Sequence, residues 1–103
     1  MTDRELDAVI AEKVYGRTLH RVTDDIIWQI GIGTRQMVPY YSSSLDALAP
    51  VVKKTIVEKG YSAYVCALQY VTYALLIEGG DAVARLLTAS PRQIAEAVVR
   101  CWE

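Results

Sequence analysis

The chain has 103 residues, of which 52% are hydrophobic, and this argues against intrinsic disorder and against more than one domain. Eleven basic and twelve acidic side chains give a net charge of −1, which argues against a protein that coats nucleic acid through a general basic surface. The composition does not exclude a local basic face. The sequence therefore predicts a single folded domain over residues 1–103.

The first predicted element is a helix that begins at Thr2 and ends at Gly16. Thr2 and Glu5 have the spacing of a capping box, and glycine commonly follows the last turn of a helix. The apolar residues share one helical face, namely Leu6, Val9, Ile10 and Val14. The other face is expected to be a solvated surface, with Asp3, Asp7 and Glu12. The charged opening residues are typical of a helix start rather than a signal peptide, which predicts a cytoplasmic protein.

An irregular arm is predicted next. Residues 17–25 form a polar connection, and residues 26–32 alternate with the period of a strand. Residues 31–35, Gly-Ile-Gly-Thr-Arg, follow this strand and could bind a phosphate through backbone amides. A dinucleotide-binding loop would be followed by a helix, and none begins here, so these residues are expected to form the tip of a hairpin. Residues 34–44 contain two tyrosines and three serines and are expected to form a loop.

A second helix is predicted to follow a cap at Ser43 or Ser44 and to end at Gly60. Its expected buried stripe consists of Leu45, Leu48, Val52 and Ile56. Pro50 leaves two alternatives. Either the helix begins at Leu45 and loses a hydrogen bond at the proline, or regular helix begins at Pro50 itself.

Residues 60–77 contain no charged side chain. They are rich in Tyr, Val and Thr, which favours strands, and too polar for a membrane span. Strands are expected at 61–68 and 71–78, followed by a Gly79-Gly80 hairpin turn and a third strand at 82–88. The alternative is one helix over 61–77, because Gln69-Tyr70 is a poor turn.

The last predicted element is a helix that begins after Ser90, with proline at its first position and Gln93 completing a capping box. Its inward residues are expected to be Ile94, Ala97, Val98 and Cys101. The predicted order is helix, arm, helix, three strands and helix. This is an α+β fold, an α/β/α-layered sandwich around a three-stranded antiparallel meander.

Three strings in this order resemble the small phage proteins of the ABA sandwich family. They are RELDAVIAEKVYG, VPYYSSSLDALAPVVKKTIVEKGYS and LLTASPRQIAEAVVR. The chain departs from that pattern at Ser44, Ala49 and Pro50, where an acidic cap, an aromatic residue and a helix former are usual. The resemblance implies a phage-encoded α/β/α protein in the host cytoplasm. It implies no activity and no site residues.

Enzymatic function and a metal or cofactor site are not expected. His20 is the only histidine, and no sequence motif places a base beside a nucleophile. His20, Asp24 and Asp25 do not form a metal-ligand pattern, because adjacent carboxylates in an extended segment point to opposite sides. Cys66 and Cys101 are expected to be small buried hydrophobes.

A distributed group of cations and aromatic rings is the candidate ligand site. Such a group suits an anionic ligand with a planar base, through phosphate pairing and ring stacking. The candidate residues are Arg17, His20, Arg21, Trp28, Arg35, Tyr40 and Tyr41. The alternative, which we rank first, is that Trp28 and one tyrosine are core residues and that the arginines only solvate the surface.

The first hypothesis for function is a non-enzymatic phage accessory protein that acts by binding. It would form a homo-oligomer that sequesters a host nucleotide signal, because seven tyrosines and an apolar arm exceed what one small core needs. The arm is expected to pair with a sheet edge of another copy. A module that inhibits or redirects a host protein is the second hypothesis. RNA or DNA binding is the third, although a basic stripe is missing.

Overall fold

The structure is a computed structural model that describes residues 1–31, 34–72 and 88–103. Helix α1 spans Asp3–Lys13 and is followed by strands β1 at Thr18–Arg21, β2 at Ile27–Gly31 and β3 at Thr34–Met37. A short 3-10 helix, Tyr41–Ser43, leads into α2 at Leu45–Lys59. Helices α3, at Tyr61–Thr72, and α4, at Pro91–Trp102, complete the described elements.

Helix α1 has the predicted boundaries to within a few residues. The Thr2 hydroxyl accepts a hydrogen bond from the Glu5 amide at 3.2 Å and so caps the first turn. Gly16 has a φ of 63°, a left-handed conformation that glycine adopts without strain. The chain reverses there, and the Arg17 amide donates to the Ala11 carbonyl at 3.0 Å.

The predicted α+β class and the three-stranded antiparallel meander are confirmed. The strands have the order β1-β2-β3, in which β2 pairs with both neighbours. The predicted position of the meander was wrong, because the strands follow α1 and occupy the segment expected to be an arm and a loop. Residues 34–37 are a strand because their backbone pairs with β2, although their polar composition is typical of a loop.

The strand expected at 61–68, and the start of the one expected at 71–78, are wrong. Residues 61–72 form α3, and Tyr64, Leu68 and Thr72 are buried at a spacing of four residues, which is a helical period. The helix alternative is therefore correct over this range. The remaining predicted strand residues, 73–78 and 82–87, and the Gly79-Gly80 turn lie outside the described residues.

Helix α2 begins at Leu45 with Pro50 inside it, which decides between the two alternatives. The Ser44 hydroxyl accepts from the Ala47 amide at 3.2 Å, as predicted for a cap. The predicted buried stripe was partly wrong. Leu48 is buried, but Leu45 is exposed, Val52 and Ile56 are half-buried, and Val51 and Thr55 take the deepest positions. The rotation of the helix by about one residue places the Thr55 hydroxyl inside.

Helix α4 is the centre of the packing and contacts α1, α2, α3 and the 3-10 helix. Its predicted capping box is present, with the Gln93 amide donating to the Ser90 hydroxyl and the Ser90 amide donating to the Gln93 side chain. Ala95, Ala97 and Val98 are fully buried. Among the described helices, none has the length and apolar character that a membrane crossing requires.

Candidate functional site

Successive side chains of a strand point to opposite sides, so the three-stranded sheet has two faces. On the inner face, Ile27 and Val38 are completely buried and Leu19 is half-buried, so the end of this face that carries Ile27 and Val38 joins the sheet to the helical part of the molecule. Arg21 and Gln36 on the same face are exposed. The alternate positions form the other face. We name it the outer sheet face and define it by His20, Trp28, Ile30, Arg35 and Met37.

The register of the strands places the side chains of the outer sheet face in two rows. His20 lies opposite Trp28, and Trp28 lies opposite Met37. Ile30 lies opposite Arg35 in the next row. Directly opposed side chains in an antiparallel pair lie about 5 Å apart, so these residues form one continuous surface.

This surface is apolar and accessible. Ile30 is 41% exposed and Met37 is 38% exposed, while Trp28 is half-buried among them. Two more exposed apolar side chains, Val22 and Ile26, continue the surface at the β1–β2 turn. Exposed hydrophobic side chains that cluster in this way commonly mark an interaction surface.

Tyr40 borders the outer sheet face on the β3 side. Its hydroxyl donates to the Met37 sulfur at 3.6 Å, and its ring is half exposed. The Arg4 guanidinium carbon lies 4.1 Å from the ring centroid, within the range of a cation–π contact. Tyr40 is therefore held in place by Arg4 and Met37, and about half of its side chain remains accessible to solvent.

Four predicted site residues come together on or beside this surface, namely His20, Trp28, Arg35 and Tyr40. The two other arginines do not join them. Arg21 lies opposite Ile27, whose side chain belongs to the inner face, and Arg17 precedes β1. Both are exposed.

Tyr41 lies in the core and offers no ring face for stacking. It is only 6% exposed, and its ring stacks on Tyr15 with 6.4 Å between the centroids. Burial, reinforced by the neighbouring Tyr15, raises the pKa of Tyr41 to about 12. The alternative that one tyrosine belongs to the core describes Tyr41, and Trp28 is half-buried rather than fully internal.

A buried ion pair supports the sheet from the helical side, although neither member belongs to the predicted site. Arg4 and Asp7 lie one turn apart on α1, and their side chains form an ion pair at 2.8 Å. Asp7 is completely buried, so the predicted solvated surface at Asp7 was wrong. A sequence signal existed, because Asp7 precedes Ile10, Ala11 and Val14 by three, four and seven residues and so shares their face.

Both members of this pair bind backbone from other parts of the chain. Arg4 donates to the carbonyls of Asp25 and Val38, each at 3.0 Å, and of Pro39 at 3.3 Å. Asp7 accepts from the Ser42 amide at 2.7 Å. The β1–β2 turn and the segment that follows β3 are thereby tied to α1, which holds this end of the sheet against the helical body.

A cavity of about 350 Å³ lies between α1, α3 and α4. Leu6 and Val99 contribute apolar surface, and the Arg100 guanidinium stacks on the Tyr70 ring at 3.8 Å. Arg92, at the same cavity, is already paired with Asp3 and Glu96. Because arginines and glutamates alternate around it, the cavity does not favour an ion of either sign.

The described residues offer little for catalysis. The Ser42 hydroxyl donates to the Asp3 carbonyl at 3.2 Å and, within the part of the chain that the structure describes, has no histidine among its hydrogen-bond partners. No group of three or more possible metal ligands occurs within residues 1–31, 34–72 and 88–103. Cys101 is half-buried, and burial raises the pKa of its thiol. Cys66 is exposed on α3, so its predicted burial was wrong.

Comparison with known proteins gives no relative: no protein-family model, no curated protein and no solved structure matches the chain.

Proposed function

We propose that this chain is a non-enzymatic binding protein whose outer sheet face docks on an apolar surface of another protein. The observation that carries the proposal is the continuous exposed apolar surface formed by Trp28, Ile30 and Met37, extended by Val22 and Ile26. Covering such side chains removes apolar area from water, which is the main favourable term in protein association.

The shape of the surface favours a protein partner over a small molecule. Small-molecule sites are concave and enclose most of the ligand, whereas the outer sheet face is the open side of a three-stranded sheet. The backbone pairing and the Arg4 contacts hold its side chains in place before binding. A partner therefore meets a surface that needs little ordering, and this lowers the entropic cost of association.

Site-specific photocrosslinking tests the proposal in cells. A benzophenone amino acid replaces Ile30, and adducts are identified by mass spectrometry. The matched control places the same group at Val57, which is 76% exposed on α2 and lies outside the outer sheet face. We expect discrete protein adducts from position 30 that are absent from position 57. Equal adduct patterns at both positions, or none at position 30, would contradict the proposal.

Sequestration of a nucleotide is the second candidate function. One observation favours it: His20 and Arg35 share a face with Trp28, so a base could stack on the indole while a phosphate pairs with the guanidinium. Arg35 and His20 are the two basic side chains on the outer sheet face as defined. Nucleic-acid binding needs more positive charge than this, so its support is much weaker.

Thermal shift and Trp28 fluorescence test this second candidate against cyclic and linear nucleotides. The Trp102→Phe variant is used, because Trp28 is then the only tryptophan. A ligand at 100 times its Kd should stabilise the protein by about 2.7 kcal/mol. Arg35→Gln should weaken the effect, while the equivalent change at the exposed Lys53 should not. Unchanged melting and fluorescence at millimolar nucleotide would exclude sequestration.

The biological setting that we propose is a phage accessory role in the host cytoplasm, and its support is the resemblance of the three sequence strings described above. In that setting the partner is a host protein, which the protein inhibits or redirects. The photocrosslinking experiment identifies it directly when it is run in the host cell.

A further inference from the structure

We infer that the outer sheet face also binds the same face of a second copy of this chain, in an antiparallel arrangement about a twofold axis. The inference rests on the proposed function, since it concerns the same surface and names one partner for it. Two observations carry it: Trp28 and Met37 form most of the middle row of the surface, beside His20, and the two ends of the sheet carry opposite charges.

The negative charges lie in the β1–β2 turn, and the positive charges lie at the opposite ends of β1 and β3. Asp24 and Asp25 lie in the β1–β2 turn, where both side chains are exposed. Arg35 lies at the far end of the sheet in the row of Ile30, and Arg17 precedes β1 at that same end. Arg21 is near the acidic turn but belongs to the inner-face register, opposite Ile27.

A twofold axis that lies between the two stacked sheets and runs across the strands exchanges the two ends. The acidic turn of one copy then lies over the Arg35 end of the other, and the reverse contact forms by symmetry. Ile26 and Ile30 are four residues apart, which corresponds to about 13 Å along a strand. Two stacked sheets lie about 10 Å apart, a distance that the long arginine side chain can bridge at the rim.

The resulting interface has an apolar centre and a charged rim, as in known protein interfaces. Trp28 and Met37, in the middle row, would lie beside their symmetry mates, and Ile30 would lie over Ile26 of the second copy. Stacking of the faces covers these side chains, whereas edge-to-edge pairing of strands would leave them in water. We therefore favour stacking over the edge pairing that the sequence first suggested.

The size of the sheet sets the expected strength of the dimer. Three strands about 4.8 Å apart and about five residues long give a footprint of roughly 15 by 17 Å. This area is smaller than that of a standard stable interface, so we expect a weak and reversible dimer.

Charge reversal in two separate variants tests the arrangement. One variant is Arg35→Glu and the other is Asp24→Lys with Asp25→Lys. No described side-chain contact is lost in either, because the hydrogen bonds described at these positions involve backbone atoms only. Each variant alone would bring like charges together at both rim contacts of its own dimer. In an equimolar mixture, the glutamate at position 35 of one variant would face the two lysines of the other. Arg35 of the second variant would face the two native aspartates of the first.

The measurement is sedimentation velocity at low ionic strength, from about 1 μM to 1 mM protein, a range in which weak dimers assemble. We expect a wild-type dimer, a dimer Kd raised about tenfold or more in each variant, and recovery to within about threefold of wild type in the mixture. Lys53→Glu, a charge reversal on the exposed side of α2, is the control and should leave the dimer unchanged.

Recovery in the mixture cannot arise from misfolded variants, so it would support the antiparallel arrangement directly. A wild-type monomer up to 1 mM would overturn the inference, as would variants that dimerise like wild type or a mixture that stays monomeric. The proposed function is tested separately, by the photocrosslinking experiment, and it is overturned if position 30 gives no adduct with any protein. Adducts with other proteins alone would overturn the dimer and leave the proposed function intact.

Discussion

At the scale of single residues, the Arg4–Asp7 pair shows how a buried charge is retained in a small domain. Arg4 is 6% exposed and Asp7 is fully buried, so both have lost most of their hydration. Their desolvation is offset by the ion pair, by three backbone carbonyls on Arg4 and by the Ser42 amide on Asp7. Every buried side-chain nitrogen and oxygen among the described residues has a hydrogen-bond partner.

Removal of the Asp7 charge should therefore be costly. Asp7→Asn keeps an oxygen for the Ser42 amide but leaves the Arg4 guanidinium buried without a counter-charge. We expect the free energy of unfolding to fall by about 3–5 kcal/mol in urea denaturation. The matched control is Asp3→Asn on the same helix, where the carboxylate is exposed and pairs with Arg92 at the surface. That change should cost about 1 kcal/mol or less, and equal losses would contradict this account.

Tyr41 gives the protein an alkaline pH dependence. Burial raises its pKa from 10.0 to about 12 in the folded state, so the unfolded chain releases this proton first. The stabilisation is complete below pH 10 and is lost as the pH rises through 12, by about 3 kcal/mol in total. Tyr41→Phe should reduce the fall in unfolding free energy between about pH 9 and pH 12 without abolishing it, because burial also raises the pKa of Tyr15 and of Tyr64. Tyr61→Phe, at a tyrosine that is 69% exposed, should leave the slope unchanged.

At the scale of elements, Pro50 is a weakness inside α2. Proline has no amide hydrogen, so the Asp46 carbonyl receives no helical hydrogen bond from position 50. Pro50→Ala should restore that bond and raise the free energy of unfolding by about 1–2 kcal/mol. The gain is smaller than the full cost of the proline, because alanine gives the unfolded chain more conformational entropy than proline does. Pro91→Ala is the control, because proline suits the first position of α4. It should give no gain in thermal or urea denaturation.

The helix ends could be predicted from the sequence because caps are local. Thr2, Ser44 and Ser90 each accept a hydrogen bond from an amide three residues later, and the spacing alone indicates this. The identity of α3 could not be predicted in the same way. Its Tyr, Val and Thr residues favour strands, and tertiary packing of Tyr64 and Leu68 against α4 overrides that propensity.

At the scale of the whole molecule, the candidate site depends on strand register, which a single sequence does not specify. The alternation of residues 26–30 predicts that Trp28 and Ile30 share a face. The pairing of β2 with β1 and β3 places His20, Arg35 and Met37 on the same face as Trp28 and Ile30, and this pairing is not visible in the sequence. Arg4 is the extreme case, since its backbone partners are 21 to 35 residues away and no local pattern indicates them.

The sheet and the helical body should unfold as one unit only while Arg4 joins them. Trp28 reports on the sheet, and Trp102 reports on the body, where its indole donates to the Thr55 hydroxyl at 2.9 Å. Single-tryptophan proteins, made with Trp102→Phe or Trp28→Phe, separate the two signals. With Arg4 present, we expect both urea transitions to coincide, because Arg4, Ile27 and Val38 couple the sheet to α1.

Arg4→Met in these two backgrounds should uncouple the signals. The sheet loses its three hydrogen bonds to Arg4, while the packing of α4 on α2 and α3 is untouched. Asp7 is also left buried without a counter-charge, so both midpoints fall. We expect the midpoint reported by Trp28 to fall by more than the midpoint reported by Trp102. The surface change Arg92→Met serves as the control, and there the two midpoints should stay together. If Arg4→Met lowers both midpoints equally, the helical body itself depends on Arg4, and the sheet is not a separable unit.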